Sequence, residues 1–485
     1  MVKIERLETT ANGAHGRKGN AQWANPRLVA KSDKPNRADQ GNNIIANEYL
    51  DEPDVLEQKV NLLAEFIKNS KYCVAYTGAG LSRAAGIGDY ASKASNSIAN
   101  NVPKLKSNLD AQPTYSHRAI VALERAGYIA NYVQQNHDGL PQKAGFPQEK
   151  INEIHGAWYD PSNPVVQFSG SLRTDLFNWM LEAEEKADLC LCLGTSLSGM
   201  NADRMASTPA KRMIRGEKVF GTVIINLQQT RLDDKTSIRI WAKLDDVFSM
   251  LAQKLNLDMT PINPSVDPRM KDKFAVPYDK DGNLDHSKRM IWDLSTGSQI
   301  TVRNPQASNF NLSGKVSGKD SEGNYLVIVG KSTRVLGRWW IHTAIKGAFH
   351  VLPFVNTSPS FVKSSIVEQM NQMEIGEGVT PSHDAFPSDI KISQTHSPLE
   401  GGNHKWSVYI SKKYCPFVTS VTWDLHKTFS PPVVTETVAP FLCTRTGWGT
   451  FKIRASITLI DGRVIHGSHT LSFDGDRFTS RIPIS

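Results

Sequence analysis

The feature that most constrains this chain is a set of short, unbroken apolar runs spaced between helical patterns. Tyr72–Tyr76, Ile129–Val133, Leu189–Leu193 and Val223–Ile225 each end in a glycine or a polar turn. Helical stretches lie around Ser116–Arg125, Leu176–Lys186 and Asp245–Leu255, and in the last Phe248, Leu251, Ala252 and Leu255 mark one face. Ahead of the first run, Leu56, Val60, Leu63 and Ile67 recur at helical spacing, with Asp54 as the expected cap. Strands that are apolar on both faces and alternate with helices imply a parallel sheet covered on both sides. The expected fold class is therefore α/β, with a Rossmann-like parallel sheet at its centre.

Polar clusters sit where these runs end. Thr77-Gly78-Ala79-Gly80-Leu81-Ser82 follows the first run, and Asp89-Tyr90 comes soon after. Gln135-Asn136-His137-Asp138-Gly139-Leu140 follows the second, with His155-Gly156 downstream. Gly194-Thr195-Ser196-Leu197 and Asn226-Leu227 follow the third and fourth. In open α/β sheets ligands bind at the carboxyl ends of the strands. A glycine turn directly after a parallel strand lets backbone N–H groups approach a pyrophosphate. One GAG triplet says little, but several polar clusters on one sheet edge say much more.

These segments carry a family resemblance. GAGLSRAAGIGDY resembles the sirtuin signature that usually reads GAGIS and then GIPDFR. QNHDGL resembles QNIDGL, IHG resembles the segment with the base histidine, and GTSL and INLQ resemble two nucleotide-binding turns. The resemblance covers 45–260, and the strand KYCVAYTGAG and the tail from IINLQ onward look closest to class IV sirtuins, the nuclear branch. It implies NAD as cofactor and a deacylation in which nicotinamide leaves as the acyl-lysine oxygen attacks the ribose. The acyl group then passes to ADP-ribose. By the same resemblance Ala79, Gly80 and Ser82 would hold phosphates, and Asp89 and Tyr90 would cover the nicotinamide end. Asn136 and Asp138 would orient nicotinamide and its ribose, and count with His155 as the catalytic set. Thr195 and Ser196 would contact phosphate or ribose, and Asn226 the adenosine side; Gly78, Gln135, Gly194 and Leu227 complete the cofactor set. His155 would be the general base on a ribose hydroxyl, a task that suits an imidazole near neutral pH.

Three departures from the family stand out. The four zinc cysteines are absent, and only AWYDPSNPVVQFSGSLRTD lies between His155-Gly156 and the next helix, so the zinc module reads as deleted and no zinc is expected. The strand VxFGE, which pairs with substrate peptide, also reads as missing. The arginine of DFR is Ala91, and the proline before the aspartate is Gly88. Trp158 and Trp179 are candidates to replace the zinc clamp by apolar contact. Cys190 and Cys192 alternate along a buried strand and read as core. His137 stands where the family has an aliphatic residue, and the sequence supplies no role for it.

Residues 402–485 resemble a YEATS domain, an immunoglobulin-like β-sandwich that reads acylated histone lysines. The resemblance rests on LHKTF followed by Pro432, then Pro440-Phe441, then GWGTF, in that order. It implies that His426, Thr428, Phe429, Gly447 and Trp448 line an acyl-lysine slot, where aromatic faces sandwich the amide. Elsewhere, 1–44 reads as a disordered basic arm and 261–289 as a proline-rich connector. Residues 290–356 read as a small β-domain of SH3- or Tudor-like type with Trp339 and Trp340 as candidate cage residues, and 357–401 as a Ser/Pro-rich linker.

The chain has 485 residues, a net charge of +8 and a pI near 9.0, a balance that favours acidic partners such as chromatin or nucleic acid. It shows no secretory pattern and no apolar run of membrane length, so an intracellular, nuclear location with no membrane partner is expected. The five cysteines form no CxxC pair. The expected function is an NAD-dependent protein-lysine deacylase coupled to an acyl-lysine reader, with acylated protein lysines, chiefly histones, as partners. The alternatives are an NAD-sensing chromatin protein without catalysis, or an NADase or ADP-ribosyltransferase.

Overall fold

A computed structural model describes all residues except 1–3, 101, 103–104, 168–169, 262–271, 363–387, 400–401, 437–439, 460–462, 474–477 and 485. The chain divides into two compact units, Met1–Gly376 and Glu377–Ser485.

The first unit is built on six parallel strands: β1 Cys73–Thr77, β2 Ile129–Gln134, β3 Ile151–Glu153, β4 Leu189–Leu193, β5 Gly221–Ile225 and β6 Ile238–Ile240. Their spatial order is β6-β5-β4-β1-β2-β3, and every pairing is parallel. All four apolar runs are strands of this sheet, as the sequence implies. From β1 the chain moves on to β2 on one side; from β4 it moves on to β5 on the other. The carboxyl ends of neighbouring β1 and β4 therefore flank the switch point, where an open α/β sheet leaves a crevice.

Five helices cover the sheet: α1 Pro53–Asn69, α2 Tyr115–Arg125, α3 Thr174–Lys186, α4 Arg204–Ile214 and α5 Leu244–Lys254. Strand β1 feeds both cores in alternation. Cys73 and Ala75 join Leu63, Ile120 and Leu251 on one face, whereas Val74 and Tyr76 join Met180, Cys192 and Met205 on the other. The cap of α1 is Glu52 rather than Asp54, because Pro53 takes the first helical position and puts Asp54 in the first turn.

The described part of 1–44 is folded, contrary to the disorder expected there. Thr10 caps a helix over Ala11–His15, Arg27–Ala30 pairs with Glu48–Leu50, and Pro35–Arg37 pairs with Asn42–Ile45. The Ala14 carbonyl accepts from Lys59 Nζ (3.2 Å) and Trp241 Nε1 (2.7 Å), and Lys59 forms a fully buried ion pair with Asp51 at 2.6 Å. Backbone carbonyls, a buried ion pair and a small cluster of Leu7 and Leu28 with Tyr49 and Trp241 do this anchoring, and these contacts are too scattered to mark an apolar period in the sequence.

Residues 273–362 form a three-stranded antiparallel sheet (Lys273–Val276, Arg289–Asp293, Ser360–Val362) and a five-stranded one. The second runs in the order Ser332–Leu336, Tyr325–Val329, Ser313–Lys319, Gln299–Thr301, Val355–Asn356. Strand Lys273–Val276 lies inside the expected connector. This β-region shares its core with Tyr159, from the segment that follows His155. Trp339 Nε1 donates to Gln148 Oε1 (2.7 Å), while Trp340 Nε1 and Gly337 N both donate to the Tyr159 carbonyl (3.1 and 3.0 Å). Both tryptophans are buried, so neither forms an open reader cage; their rings and N–H groups are spent on this junction.

The second unit is a sandwich of two four-stranded antiparallel sheets. One runs Cys443–Gly447, His404–Ile410, Asp389–Pro398, Phe478–Pro483, and the other Val433–Glu436, Val418–Asp424, Lys452–Leu459, Val464–Thr470. Ile392, Trp406, Val408, Trp423 and Ile457 fill the space between them. Strand Asp389–Pro398 shows that the sandwich begins inside the expected linker; residues 363–387 of that linker lie outside the described residues.

Candidate active site

The crevice at the switch point is a cavity of about 900 Å³. Its walls include Ala79, Gly80, Ser82, Asp89, Tyr90, Gln135, Asn136, Asp138, His155, Gly194, Thr195, Ser196, Asn226 and Leu227. The folding of the sheet thus gathers the expected catalytic and cofactor residues around one cleft, with Gly78 directly behind Ala79.

The glycines are there because two strand ends touch. A Cβ on Gly80 would stand 2.7 Å from Gly194 Cα, and one on Gly194, where φ is +60°, would stand 2.6 Å from the Gly80 carbonyl carbon. Gly78 N donates to Leu193 O and Gly80 N to Gly194 O, while the Leu81 and Ser82 amides bond back within the turn. Ala79 carries the remaining amide of this loop. Gly80 therefore serves close approach rather than donation.

Beside this turn the polar side chains form a linked set. Ser82 Oγ donates to Asp138 Oδ2 at 2.6 Å, and Asn136 Nδ2 donates to Ser82 Oγ (3.1 Å) and to the Gly78 carbonyl (3.0 Å). Burial raises the Asp138 carboxyl, partly offset by the Ser82 hydroxyl. Gln135 reaches the Tyr76 hydroxyl, which donates to Asp203 at 2.8 Å, and Thr195 Oγ1 donates to Gln135 Oε1 at 3.3 Å. At the end of β5, Asn226 Nδ2 holds the Gln228 carbonyl (3.1 Å), and buried Arg239 donates to the carbonyls of Asn226 and Gln228.

His155 sits on the cleft wall with its Nε2 buried and without a hydrogen-bond partner among the described residues. Burial, with the nearby His137, pushes its pKa down to about 4. The imidazole is therefore neutral at neutral pH and free to accept a proton. His137 now has a role: its Nδ1 meets the Gly156 carbonyl at 2.8 Å and its own carbonyl accepts from Trp158 N. It ties the Asn136 loop to the His155 segment, which an aliphatic residue could not do by hydrogen bonding.

Three cleft residues had no distinct signal in the sequence. Arg83 Nε pairs with Asp89 Oδ2 at 3.0 Å, close to the place where the family arginine is replaced by Ala91. Arg37 lies 5.6 Å over the Tyr90 ring, and Glu48 accepts from Ser97 Oγ and Ile98 N. Arg37 comes from the 1–44 segment that composition marks as plain polar chain, and Glu48 from the first residues of the 45–260 domain.

Val165, Val166, Gln167, Gly170 and Leu172 line the cleft, and Val166 N donates to the His155 carbonyl at 2.9 Å. The sequence Val166-Gln167-Phe168 keeps the V-x-F of the peptide-pairing strand, although it continues Ser169-Gly170. The described residues of this segment stand beside His155.

In the second unit, the expected acyl-lysine residues meet at one end of the sandwich. His426 Nδ1 and Thr428 Oγ1 lie 2.9 Å apart, and a Cβ on Gly447 would stand 3.3 Å from the Phe429 ring. Phe429, Phe451 and Trp406 form an aromatic cluster with centroids 5.5–5.8 Å apart, whereas Trp448 is 80% exposed. An exposed tryptophan is a surface suited to a flat amide.

Comparison with known proteins agrees with both halves. A Sir2 family model matches residues 94–162 and a YEATS family model residues 401–475. The NAD-dependent protein deacetylase Sirt6 of Drosophila melanogaster is 30% identical over 275 residues, spanning 47% of this chain and 85% of its own. The NAD-dependent protein deacetylase sirtuin-7 of Bos taurus is 29% identical over 311 residues, spanning 54% of this chain and 76% of its own. A solved Sir2 homologue–NAD complex aligns with a TM-score of 0.34 at 22% identity, over 40% of this chain and 93% of its own.

Proposed function

The chain belongs to the Sir2 family, and from that premise we propose that it is an NAD-dependent protein-lysine deacylase whose second unit reads acyl-lysine. The observation that carries the proposal is the single cleft whose walls bring His155, its Nε2 without a hydrogen-bond partner among the described residues, together with the converging glycine turns.

The residues fit NAD. The cleft of about 900 Å³ leaves room for a dinucleotide, and the glycine turn at its wall offers the Ala79 amide. When bound there, NAD would supply a ribose carbon open to attack by the acyl oxygen, with nicotinamide as the leaving group. His155 takes a proton from a ribose hydroxyl; Asn136 and Asp138, fixed through Ser82, orient the nicotinamide end. Tyr90, exposed at the mouth, and Asp89, locked by Arg83, close over it. Substrate peptide lies against Val165–Gln167. In the reader slot, Trp448 and Phe429 flank the acyl group and Thr428 binds its oxygen. Acylated histones are the proposed partners, supported by the YEATS match, and the nucleus is the proposed location, where the +8 charge suits contact with nucleic acid. In place of a zinc module, the proposed clamp is the Trp339–Trp340–Tyr159 junction.

The test is incubation with NAD and acylated histone peptides, following nicotinamide and O-acyl-ADP-ribose. Peptide-dependent release of both is expected. Nicotinamide release that ignores peptide would favour an NADase, and NAD binding without turnover would favour a sensor.

A further inference from the structure

A second cavity, of about 440 Å³, adjoins the main cleft: Asn108, Trp158 and Val165 line both. Its far wall is Thr333, Arg334 and Val335, from the β-region that follows the Sir2-like part. These residues belong to Ser332–Leu336, an end strand of the five-stranded sheet, which pairs with Tyr325–Val329 on one side and with no other strand among the described residues. Just past the strand, Gly337 N donates to the Tyr159 carbonyl, away from that partner strand. Backbone groups of a strand alternate in direction with a period of two. Thr333 and Val335 therefore turn their N–H and C=O the same way as Gly337, toward the second cavity.

Bare edges are ready templates for an added strand. This one is also basic. Lys331 is exposed, and Arg334 Nε is buried without a hydrogen-bond partner among the described residues. On the opposite wall, Oδ1 of Asp160 accepts from the amide and the hydroxyl of Ser162 (2.8 and 2.7 Å).

We propose that substrate flanking the acyl-lysine binds as an added strand on Ser332–Leu336, and that Arg334 selects an acidic flank. The proposal rests on the deacylase reading and extends it: the β-region is a specificity wall of the same site. Because the two cavities share Asn108, Trp158 and Val165 as walls, an extended peptide bound in one would reach the other.

The experiment uses the full chain with NAD and two acyl-lysine peptides, one short and one extended by glutamate-rich flanks carrying a photoreactive group. Thr333→Pro removes an outward N–H on an edge strand, where proline is tolerated. It is expected to raise KM for the long peptide about tenfold, as loss of one or two backbone hydrogen bonds does, and to leave the short peptide unchanged. Arg334→Glu is expected to raise KM for the acidic peptide alone. Photocrosslinks on the wild type are expected within Ser332–Leu336 and to vanish in Thr333→Pro. Crosslinks confined to the second unit, or equal effects on both peptides, would overturn the inference. If no peptide drives nicotinamide release, the deacylase reading fails, while the crosslink positions still decide whether a peptide adds to this edge.

Discussion

Replacing Trp339 by alanine should show how much the β-region supports the NAD cleft. The Trp339 side chain is buried, its ring lies 5.1 Å from that of Tyr159, and its Nε1 donates to Gln148 at 2.7 Å. Its far edge also stands against Gly139, one residue past Asp138. Truncating a buried tryptophan costs about 3–5 kcal/mol. Losing the shorter of the two hydrogen bonds to Gln148 Oε1, which keeps its bond from Gln142 Nε2 at 3.2 Å, adds about 1 kcal/mol at most. A loss of about 4–6 kcal/mol is a large part of a typical total of about 5–15 kcal/mol. In a unit of this size it should lower the melting temperature by about 10 °C. Trp339→Phe keeps the ring and loses the hydrogen bond, so it should cost about 1–2 kcal/mol. The assay is thermal melting followed by near-UV circular dichroism, with and without NAD. Because the ring touches the Asp138 loop, NAD binding should weaken in Trp339→Ala along with stability. A melting temperature within about 2 °C of wild type would refute the idea that this junction clamps the cleft.

Further outcomes follow from the same geometry. Gly194→Ala should destabilise by about 3 kcal/mol, from the left-handed φ and the clash with Gly80, and should abolish NAD binding measured by calorimetry. A metal chelator should leave the melting temperature and turnover unchanged; a drop in both that zinc restores would contradict the proposed clamp. The pKa of His155 lies below the ordinary 6.5, so the free enzyme keeps a neutral base at every pH well above 4. The acid limb of kcat/KM should therefore fall near pH 4 rather than 6.5. The same lowered value means that the native state resists protonation, so its stability contribution is lost as pH falls from 6.5 toward 4. Trp448→Ala should weaken acyl-peptide binding by the isolated slot about tenfold and leave NAD turnover on a short peptide unchanged; equal affinity in titrations would reject the slot.

The parallel sheet was legible because each strand is buried on both faces and writes an unbroken apolar run, as in Leu189–Leu193. The cleft was legible because ligand chemistry collects at strand ends, so Gly78–Ser82, Gln135–Asp138 and Gly194–Ser196 announce themselves by position. The rest escaped for physical reasons. Arg37 and Glu48 reach the cleft from a segment held by the Ala14 carbonyl and a buried Lys59–Asp51 pair, and such anchors have no periodicity. Trp339 and Trp340 read as an exposed cage because a sequence cannot show that Tyr159, far away in the chain, closes over them. The role of His137 depends on one carbonyl, that of Gly156, which no spacing rule reveals.

The most direct test of the central claim compares wild type with His155→Ala for NAD binding by calorimetry and for acyl transfer in a single turnover. The account predicts NAD affinity within about threefold of wild type and acyl transfer slowed by at least about a hundredfold, the usual scale for loss of a general base. Undiminished transfer in the mutant, with NAD still bound, would remove His155 from the chemistry and the account with it.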